Sequence, residues 1–252
     1  MRTVSAGLTH VGQKRQHNED FFARDDRSGL YVVADGVGGH AKGEVASREA
    51  AEEVMMWVRR HLPQIDAMVA RGTPDGIGAA RRLVESGVQS ACYMVYAMAE
   101  QDPEKAGMST TMSALLVRGG RAFIAQVGDS RVYRVRGKEL LQITEDHTLV
   151  NYRLKQGLIS PEEAKVAAGK NVITRAVGHK DYVQVDTFDA EALSGDRFFL
   201  CTDGFHGYTP PDEDVLAIVA LPALEDGVQR AVDYANGLGG RDNVTAVIVR
   251  VL

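Results

Sequence analysis

Residues 30–44 read LYVVADGVGGHAKGE, an apolar run followed by Asp35-Gly36 and a series of small residues. The run Leu30 to Ala34 has turn-forming residues on both sides, which is typical of a buried strand that ends in a tight turn. The sequence therefore predicts that Asp35 is held at the end of a rigid strand, a good position for a chemically active group.

Two long amphipathic segments follow this strand. From Gly43 to Leu62 apolar residues recur every four positions, which predicts one face of a helix that stops at Pro63. Apolar residues from Val84 to Met98 are spaced by three and four, and this second helix is expected to end before Pro103.

The middle of the chain carries two hairpin patterns. Gly119-Gly120 separates the apolar segments 113–118 and 121–127, as a two-residue turn does. A second pair of segments, 132–136 and 139–143, follows directly. Four successive strands favour antiparallel pairing over a parallel sheet with crossover helices.

Residues 147–178 are less regular, and we expect a mobile flap there. The pattern beyond the flap predicts two strands and two helices, at 197–201, 244–251, 212–220 and 224–236. Strands and helices thus alternate in blocks. The expected fold of residues 1–252 is a single α+β domain, with two antiparallel sheets and helix pairs on their outer faces.

The composition is that of an ordinary globular protein, since 44% of the 252 residues are hydrophobic, 25% are charged and the net charge is −5. This acidic balance disfavours nucleic acid as a partner, because binding to the phosphate backbone needs basic surfaces. The pattern contains no signal peptide and no segment that could span a membrane. The two cysteines are far apart and fit a reducing compartment. We therefore expect a soluble, unprocessed, cytoplasmic protein with no membrane partner.

Aspartate and glycine stand side by side where three apolar runs end. The pairs are Asp35-Gly36, Gly128-Asp129 and Asp203-Gly204, and Asp242 precedes the last strand. If these ends converge, the carboxylates repel one another unless a cation neutralises them. Because all candidate ligands are oxygens, the pattern suits Mg²⁺ or Mn²⁺ better than zinc. Any single pair could instead mark only a turn.

A charged segment, residues 14–20, precedes the aromatic pair Phe21-Phe22. By itself it is typical of a solvated charge run. Arg15 could equally bind a phosphoryl group through two parallel hydrogen bonds, with Glu19 and Asp20 holding water molecules around a metal.

Taken in order, these motifs closely resemble those of the metal-dependent serine/threonine protein phosphatases of the protein phosphatase 2C type, above all the bacterial single-domain form. The resemblance rests on RQHNED, VVADGVGGHAKGE, GMSTTMSALLV, AQVGDSRVYRV, ITEDHTLV, NVITRAVG, LCTDGF and GRDNVTAVIV, and it covers nearly the whole chain. It implies a four-layer αββα sandwich with a binuclear Mn²⁺ or Mg²⁺ centre at one edge.

The resemblance also implies a set of metal ligands. Asp35 would bridge two ions and the carbonyl of Gly36 would bind one of them. The other ion would be bound by Asp203 and Asp242. Asp129 looks like the ligand of a third, weaker ion that it shares with Asp203.

The implied reaction is hydrolysis of phosphoserine and phosphothreonine in proteins by a water that bridges the ions, without a phosphoenzyme. Arg15 would bind the phosphate of the substrate, and Glu19 and Asp20 would order water molecules around the metals. His40 either protonates the leaving alkoxide or is a turn histidine hydrogen-bonded to backbone. Its spacing from Asp35 differs from the Asp-Gly-His of some relatives.

Three further features depart from the family pattern or stay open. His147, in EDHT, either has a comparable role or caps the flap. Residues 166–170 stand where relatives often carry His-Pro. Residues 205–211, FHGYTPP, form either a partner-recognition loop or a turn stiffened by proline.

The implied partners are phosphorylated proteins, together with a cognate Ser/Thr kinase and its substrates, and a monomer is expected. One alternative is a catalytically silent module that keeps the fold and recognises phosphorylated partners. Such a module would not need the core carboxylates. Another is a two-metal phosphodiesterase or nuclease, but the sequence lacks the basic, aromatic-lined track that a nucleic-acid strand needs.

Overall fold

The computed structural model of the protein describes residues 1–37, 42–169 and 171–252. The strands within these residues are β1 (Thr3–His10), β2 (Asp20–Asp25), β3 (Leu30–Val37), β4 (Ser109–Thr110), β5 (Met112–Arg118), β6 (Arg121–Val127), β7 (Arg131–Arg136), β8 (Glu139–Gln142), β9 (Asp186–Glu191), β10 (Arg197–Cys201) and β11 (Val244–Val251). The helices are α1 (Gly43–Ala70), α2 (Pro74–Gln101), α3 (Leu149–Lys155), α4 (Pro161–Val166), α5 (Asp203–His206), α6 (Asp212–Val219) and α7 (Leu224–Gly237).

The strands form two antiparallel sheets. One sheet has the order β1-β11-β10-β7-β8, and the other has the order β2-β3-β5-β6-β9, with β4 paired to the end of β3. Both predicted hairpins are present, since β5 pairs with β6 and β7 pairs with β8. The prediction of antiparallel sheets is confirmed.

The two sheets face each other, and helices cover their outer faces. Tyr31 of one sheet and Phe198 of the other are fully buried in the cluster between the sheets. Burial of one such side chain contributes about 2 kcal/mol. Helices α1 and α2 pack on the sheet that contains β3, and α6 and α7 pack on the sheet that contains β11. This is the four-layer αββα sandwich that the sequence predicts.

Helix α1 is longer than predicted. It continues through Pro63, although proline removes one backbone donor from the helix. Contacts with the β5–β6 hairpin hold its last turns, because Arg118 donates two hydrogen bonds of 2.7 Å to Asp66 and Val69 is buried. Tertiary packing thus overrides the local preference, and the prediction that the helix stops at Pro63 is wrong.

Strand β3 also extends further than predicted. It contains Asp35 and Gly36 and ends at Val37. Gly36 and Val37 pair with Thr110 and Ser109 of β4, so a second partner strand continues the ladder at this point. Asp35-Gly36 is therefore extended backbone and not the expected tight turn.

Between β8 and β9 the chain forms two short helices, α3 and α4. Thr148 caps α3 by accepting a hydrogen bond from the backbone N–H of Asn151, and Ser160 and Glu163 form a reciprocal capping box at the start of α4. In the part of the chain that is described, no helix is both long and apolar enough to cross a membrane.

Candidate active site

A cleft of about 230 Å³ lies at one end of both sheets. Most of the predicted site residues line it, although they come from distant parts of the sequence: Arg15, Glu19, Asp35, Gly36, Asp129, Asp203 and Asp242. Asp20 lies beside the cleft as the cross-strand neighbour of Asp35. His40 lies outside the described residues.

The backbone of Asp35 is fixed on both sides. Its N–H donates to Thr111 Oγ1 at 3.0 Å, and its carbonyl accepts from the Thr111 N–H and from Thr110 Oγ1, both at 2.8 Å. Burial, together with the negative charges of Asp20 and Asp203, raises the pKa of the Asp35 carboxyl well above its usual range. A rigid strand thus presents a carboxyl whose ionisation needs a nearby positive charge.

Asp20 opens β2 and is only 6% exposed, so it is not part of a solvated charge run. Its Oδ2 accepts hydrogen bonds from Thr202 at 2.8 Å and from Thr245 at 2.7 Å. Its Oδ1 is buried without a partner among the described residues. Burial raises the pKa of Asp20 to about 7, although the two hydroxyls oppose that shift.

Asp203 is the first residue of α5, and a single residue, Thr202, separates it from the end of β10. A Cβ on the next residue, Gly204, would lie 1.8 Å from the carbonyl oxygen of Asn243, so only glycine lets α5 approach this closely. Burial and the charge of Asp242 raise the pKa of Asp203, and its Oδ1 is a second buried oxygen with no partner among the described residues.

Asp129 lies in the turn between β6 and β7 and is 6% exposed. Burial, and then the charge of Asp203, raise the pKa of Asp129 to about 7. The family resemblance paired Asp129 with Asp203, and both residues line the same cleft.

Arg15 is exposed at the rim of the cleft. Its Nη2 donates a hydrogen bond of 2.8 Å to Asp242 Oδ2, and this bond raises the pKa of the guanidinium. Burial and the charge of Glu44 raise the pKa of Glu19, which also lines the cleft. The guanidinium thus lies within reach of any anion that enters.

Asn243 organises this rim and was not among the site residues predicted from the sequence. Its Nδ2 donates to the carbonyls of Val11 and His17, both at 2.9 Å, and its Oδ1 accepts the N–H of Glu19 at 2.8 Å. Asn243 thereby ties the Arg15 segment to the start of β11. The signal was available, because Asn243 directly follows Asp242 in GRDN.

The donor chemistry of the cleft fits hard divalent cations. The available donors are carboxylate and carbonyl oxygens, which Mg²⁺ and Mn²⁺ prefer. The unpartnered oxygens of Asp20 and Asp203 support this fit, since a buried carboxylate oxygen is costly without a counter-charge. As the side chains stand, no three His, Cys, Asp or Glu groups of residues 1–37, 42–169 and 171–252 lie close enough to enclose an ion. The fit of the cleft to divalent cations therefore rests on the oxygen donors, on their burial and on the negative charge that several carboxyl groups bring together.

The cleft opens into a larger cavity of about 550 Å³ between the helices α3 and α4 and the start of α5. Asp129, Asn171 and Asp203 line both spaces. Val150, Leu154 and other residues of the short helices give the larger cavity an apolar side. A substrate bound in the cleft can therefore extend across the surface below α3 and α4.

Comparisons with known proteins agree with this geometry. The family model described as "Protein phosphatase 2C" matches residues 6–221. Over 246 residues the chain is 33% identical to protein phosphatase PhpP of Streptococcus pneumoniae strain D39. The match covers 96% of this chain and 95% of that protein.

Two solved structures share the fold over the full length of the chain. The crystal structure of the Mycobacterium tuberculosis serine/threonine phosphatase PstP/Ppp has a TM-score of 0.83 and 33% identity, and the match covers 100% of this chain and 99% of that one. The catalytic domain of the phosphatase PstP, solved in complex with two manganese ions, has a TM-score of 0.79 and 32% identity, with the same coverage.

Proposed function

The chain belongs to the protein phosphatase 2C family, and from this premise we propose that its cleft removes phosphoryl groups from the serine and threonine side chains of proteins. The observation that carries the proposal is the convergence of Asp35, Asp129, Asp203 and Asp242 beside one guanidinium, that of Arg15. Carboxylates that raise one another's pKa are arranged for cations, and the guanidinium is arranged for a dianion.

We assign the ion-binding roles to residues that the cleft gathers. Asp35 and the Gly36 carbonyl would hold one ion. A second ion would be held by Asp35, Asp203 and Asp242. Asp129 and Asp203 would hold a third ion more weakly. Two divalent ions, Mn²⁺ or Mg²⁺, would supply the acidification of water and the neutralisation of phosphoryl oxygens that phosphate ester hydrolysis needs.

The other residues of the cleft would orient the reactants. Arg15 would release Asp242 and donate to the phosphoryl oxygens of the substrate. Glu19 and Asp20 would accept hydrogen bonds from ordered water, and the unpartnered Oδ1 of Asp20 supports this role. His40, outside the described residues, stays the proposed proton donor to the leaving serine or threonine oxygen.

The proposed substrates are phosphorylated proteins, and the larger cavity beside the cleft supports a polypeptide. A cognate Ser/Thr kinase and its targets would be the partners. We further propose that residues 1–252 form one catalytic domain that acts as a monomer in the cytoplasm, and that residues 147–178 serve as its flap.

A substrate comparison tests the proposal. With Mn²⁺ the protein should hydrolyse a phosphothreonine peptide and should leave a phosphate diester such as bis(4-nitrophenyl) phosphate nearly untouched, and a chelator should abolish the first activity. Faster cleavage of the diester would point to a phosphodiesterase. Tight phosphopeptide binding without hydrolysis would point to a silent binding module.

Arg15→Ala should raise the KM for the phosphopeptide about 10- to 100-fold, since a hydrogen bond to a charged group contributes about 1.5–3 kcal/mol. The affinity for Mn²⁺ should not fall, because the ion pair of Arg15 with Asp242 competes with a cation for that carboxylate. Steady-state kinetics and calorimetric Mn²⁺ titration measure both. Arg27→Ala, the same charge change in the turn at the other end of β2 and β3, is the control. An unchanged KM in Arg15→Ala would remove Arg15 from the substrate site.

A further inference from the structure

Two buried histidines hold the Gly128-Asp129 turn from different elements. His147 precedes α3 and is 7% exposed, and His206 ends α5 and is 6% exposed. Neither ring is used in the proposed reaction. Each makes a hydrogen bond to the backbone of the turn.

His147 binds Gly128 twice. Its backbone N–H donates to the Gly128 carbonyl at 2.9 Å, and its Nδ1 accepts the Gly128 N–H at 3.1 Å. Because Nδ1 accepts, Nε2 must carry the proton and donate to Asp186 Oδ2 at 3.1 Å. Arg175 Nη1 donates to the other oxygen of Asp186 at 2.7 Å and lies 3.2 Å from His147 Nε2, so it holds the Asp186 carboxylate beside the ring.

His206 holds the next residue of the turn. Its Nε2 donates to the Asp129 carbonyl at 2.9 Å. Asp203, at the other end of the same short helix, carries a carboxylate of the cleft. One imidazole therefore connects the backbone of Asp129 to the helix that carries Asp203.

Steric contact limits the turn on its remaining side. Gly128 has φ +93°, and a Cβ there would lie 2.6 Å from Thr111 Cβ. The turn is thus in contact with Thr111 and is held by two imidazoles and by Gln126, whose Nε2 donates to the Gly128 carbonyl at 3.1 Å. Loss of either hydrogen bond removes the side-chain partner of a buried backbone group, which costs free energy and weakens the hold on the turn.

We propose that His206 and His147 are positioning residues that set the distance between the carboxylates of Asp129 and Asp203, and through it the affinity of the weakest cation site. The inference rests on the proposed function for the presence of that site. It assigns a role to His206 in the FHGYTPP segment and makes His147 a support of the turn and not a proton donor.

Matched substitutions at His206 test the proposal. His206→Gln keeps an N–H donor near the position of Nε2, whereas His206→Met keeps the length of the side chain and removes the donor. We expect His206→Met to weaken the weakest Mn²⁺ binding about tenfold, as loss of a supporting hydrogen bond typically does, and to leave the two tighter sites unchanged. His206→Gln should stay near the wild-type affinity. Electron paramagnetic resonance of free Mn²⁺ during titration gives the stoichiometry and affinities directly.

The outcomes separate a positioning role from a packing role. Equal Mn²⁺ affinities in all three proteins, or equal losses in both variants, would overturn the proposal. A wild-type protein that binds only two Mn²⁺ but hydrolyses the phosphopeptide would also overturn it, and would leave the phosphatase function standing. If His206→Met does not fold, His147→Asn, which keeps an acceptor, and His147→Leu, which does not, repeat the comparison with the same expected contrast and the same overturning result.

Discussion

Asp203→Asn should lower Mn²⁺-dependent phosphopeptide hydrolysis at least about a thousandfold, because a bound metal contributes several kcal/mol to the transition state and each 1.36 kcal/mol is tenfold in rate. Asparagine keeps the shape of the side chain but removes the negative charge that a cation needs. Asp242→Asn should have a comparable effect for the same reason. The measurement is kcat/KM with a phosphothreonine peptide at saturating Mn²⁺.

The same substitution should not destabilise the metal-free protein. Burial and the charge of Asp242 raise the pKa of Asp203, so removing its charge relieves repulsion in the folded state. Thermal unfolding in the presence of a chelator should give a midpoint equal to or above that of the wild type. Asp233→Asn, on the exposed face of α7, is the matched control and should keep full activity. Full activity in both Asp203→Asn and Asp242→Asn would overturn the ligand assignment.

The stability of the metal-free protein should fall as the pH rises from 6.5 to 8.5. The pKa values of Asp20 and Asp129 are raised to about 7, and that of Asp35 is raised well above its usual range, mainly by burial. An aspartate in the unfolded chain titrates near a pKa of about 3.9. Between the unfolded and the folded pKa of each carboxyl, the folded state therefore binds more protons than the unfolded chain. The free energy of unfolding declines as the pH rises until it passes the folded pKa.

The lower limit of the window follows from the histidines. Burial lowers the pKa of His206 to about 3 and also lowers that of His147. Both histidines therefore increase the free energy of unfolding as the pH rises to about 6.5, the ordinary pKa of histidine. Above that pH they do not change it further. Of these carboxyls and histidines, only the carboxyls with a raised pKa still titrate in the folded state above that pH.

We expect a loss of about 2 kcal/mol between pH 6.5 and 8.5, which corresponds to a fall in Tm of roughly 4–8 °C for a domain of this size. Saturating Mg²⁺ should remove most of the decline, because the ions stabilise the ionised carboxylates. Differential scanning calorimetry with chelator and with Mg²⁺ measures both curves. A metal-free Tm that stays constant or rises over this range would show that these carboxyl groups are not buried together in the metal-free fold.

The central strands and the paired helices could be predicted from sequence because their burial leaves a clear pattern. Strands β5 and β6 are almost fully buried and meet at Gly119-Gly120. Strands β1, β2 and β9 were not predicted, and each lies at an edge of its sheet. An edge strand is partly exposed and flanked on one side only, so its apolar alternation is weak. Residues 186–191, DTFDAE, are half-exposed along nearly their whole length.

The site could be predicted as a set of residue types but not as geometry. Oxygen donors beside glycines were visible in the sequence, and their convergence in one cleft depends on the topology of two sheets. The partner strand β4 keeps Asp35 in extended backbone, and that pairing joins residues more than seventy positions apart. The contact of His206 with Asp129 also joins distant segments of the chain, so no local sequence pattern predicts it.

Diffraction at the manganese absorption edge, from crystals grown with Mn²⁺, tests most directly whether the carboxylates hold the ions that drive the reaction. Two strong anomalous peaks should lie in the cleft, with Asp35 contacting both and Asp203 and Asp242 contacting one of them. A cleft without anomalous density, with the carboxylates of Asp35, Asp203 and Asp242 apart from any ion, would contradict the proposed metal-dependent hydrolysis.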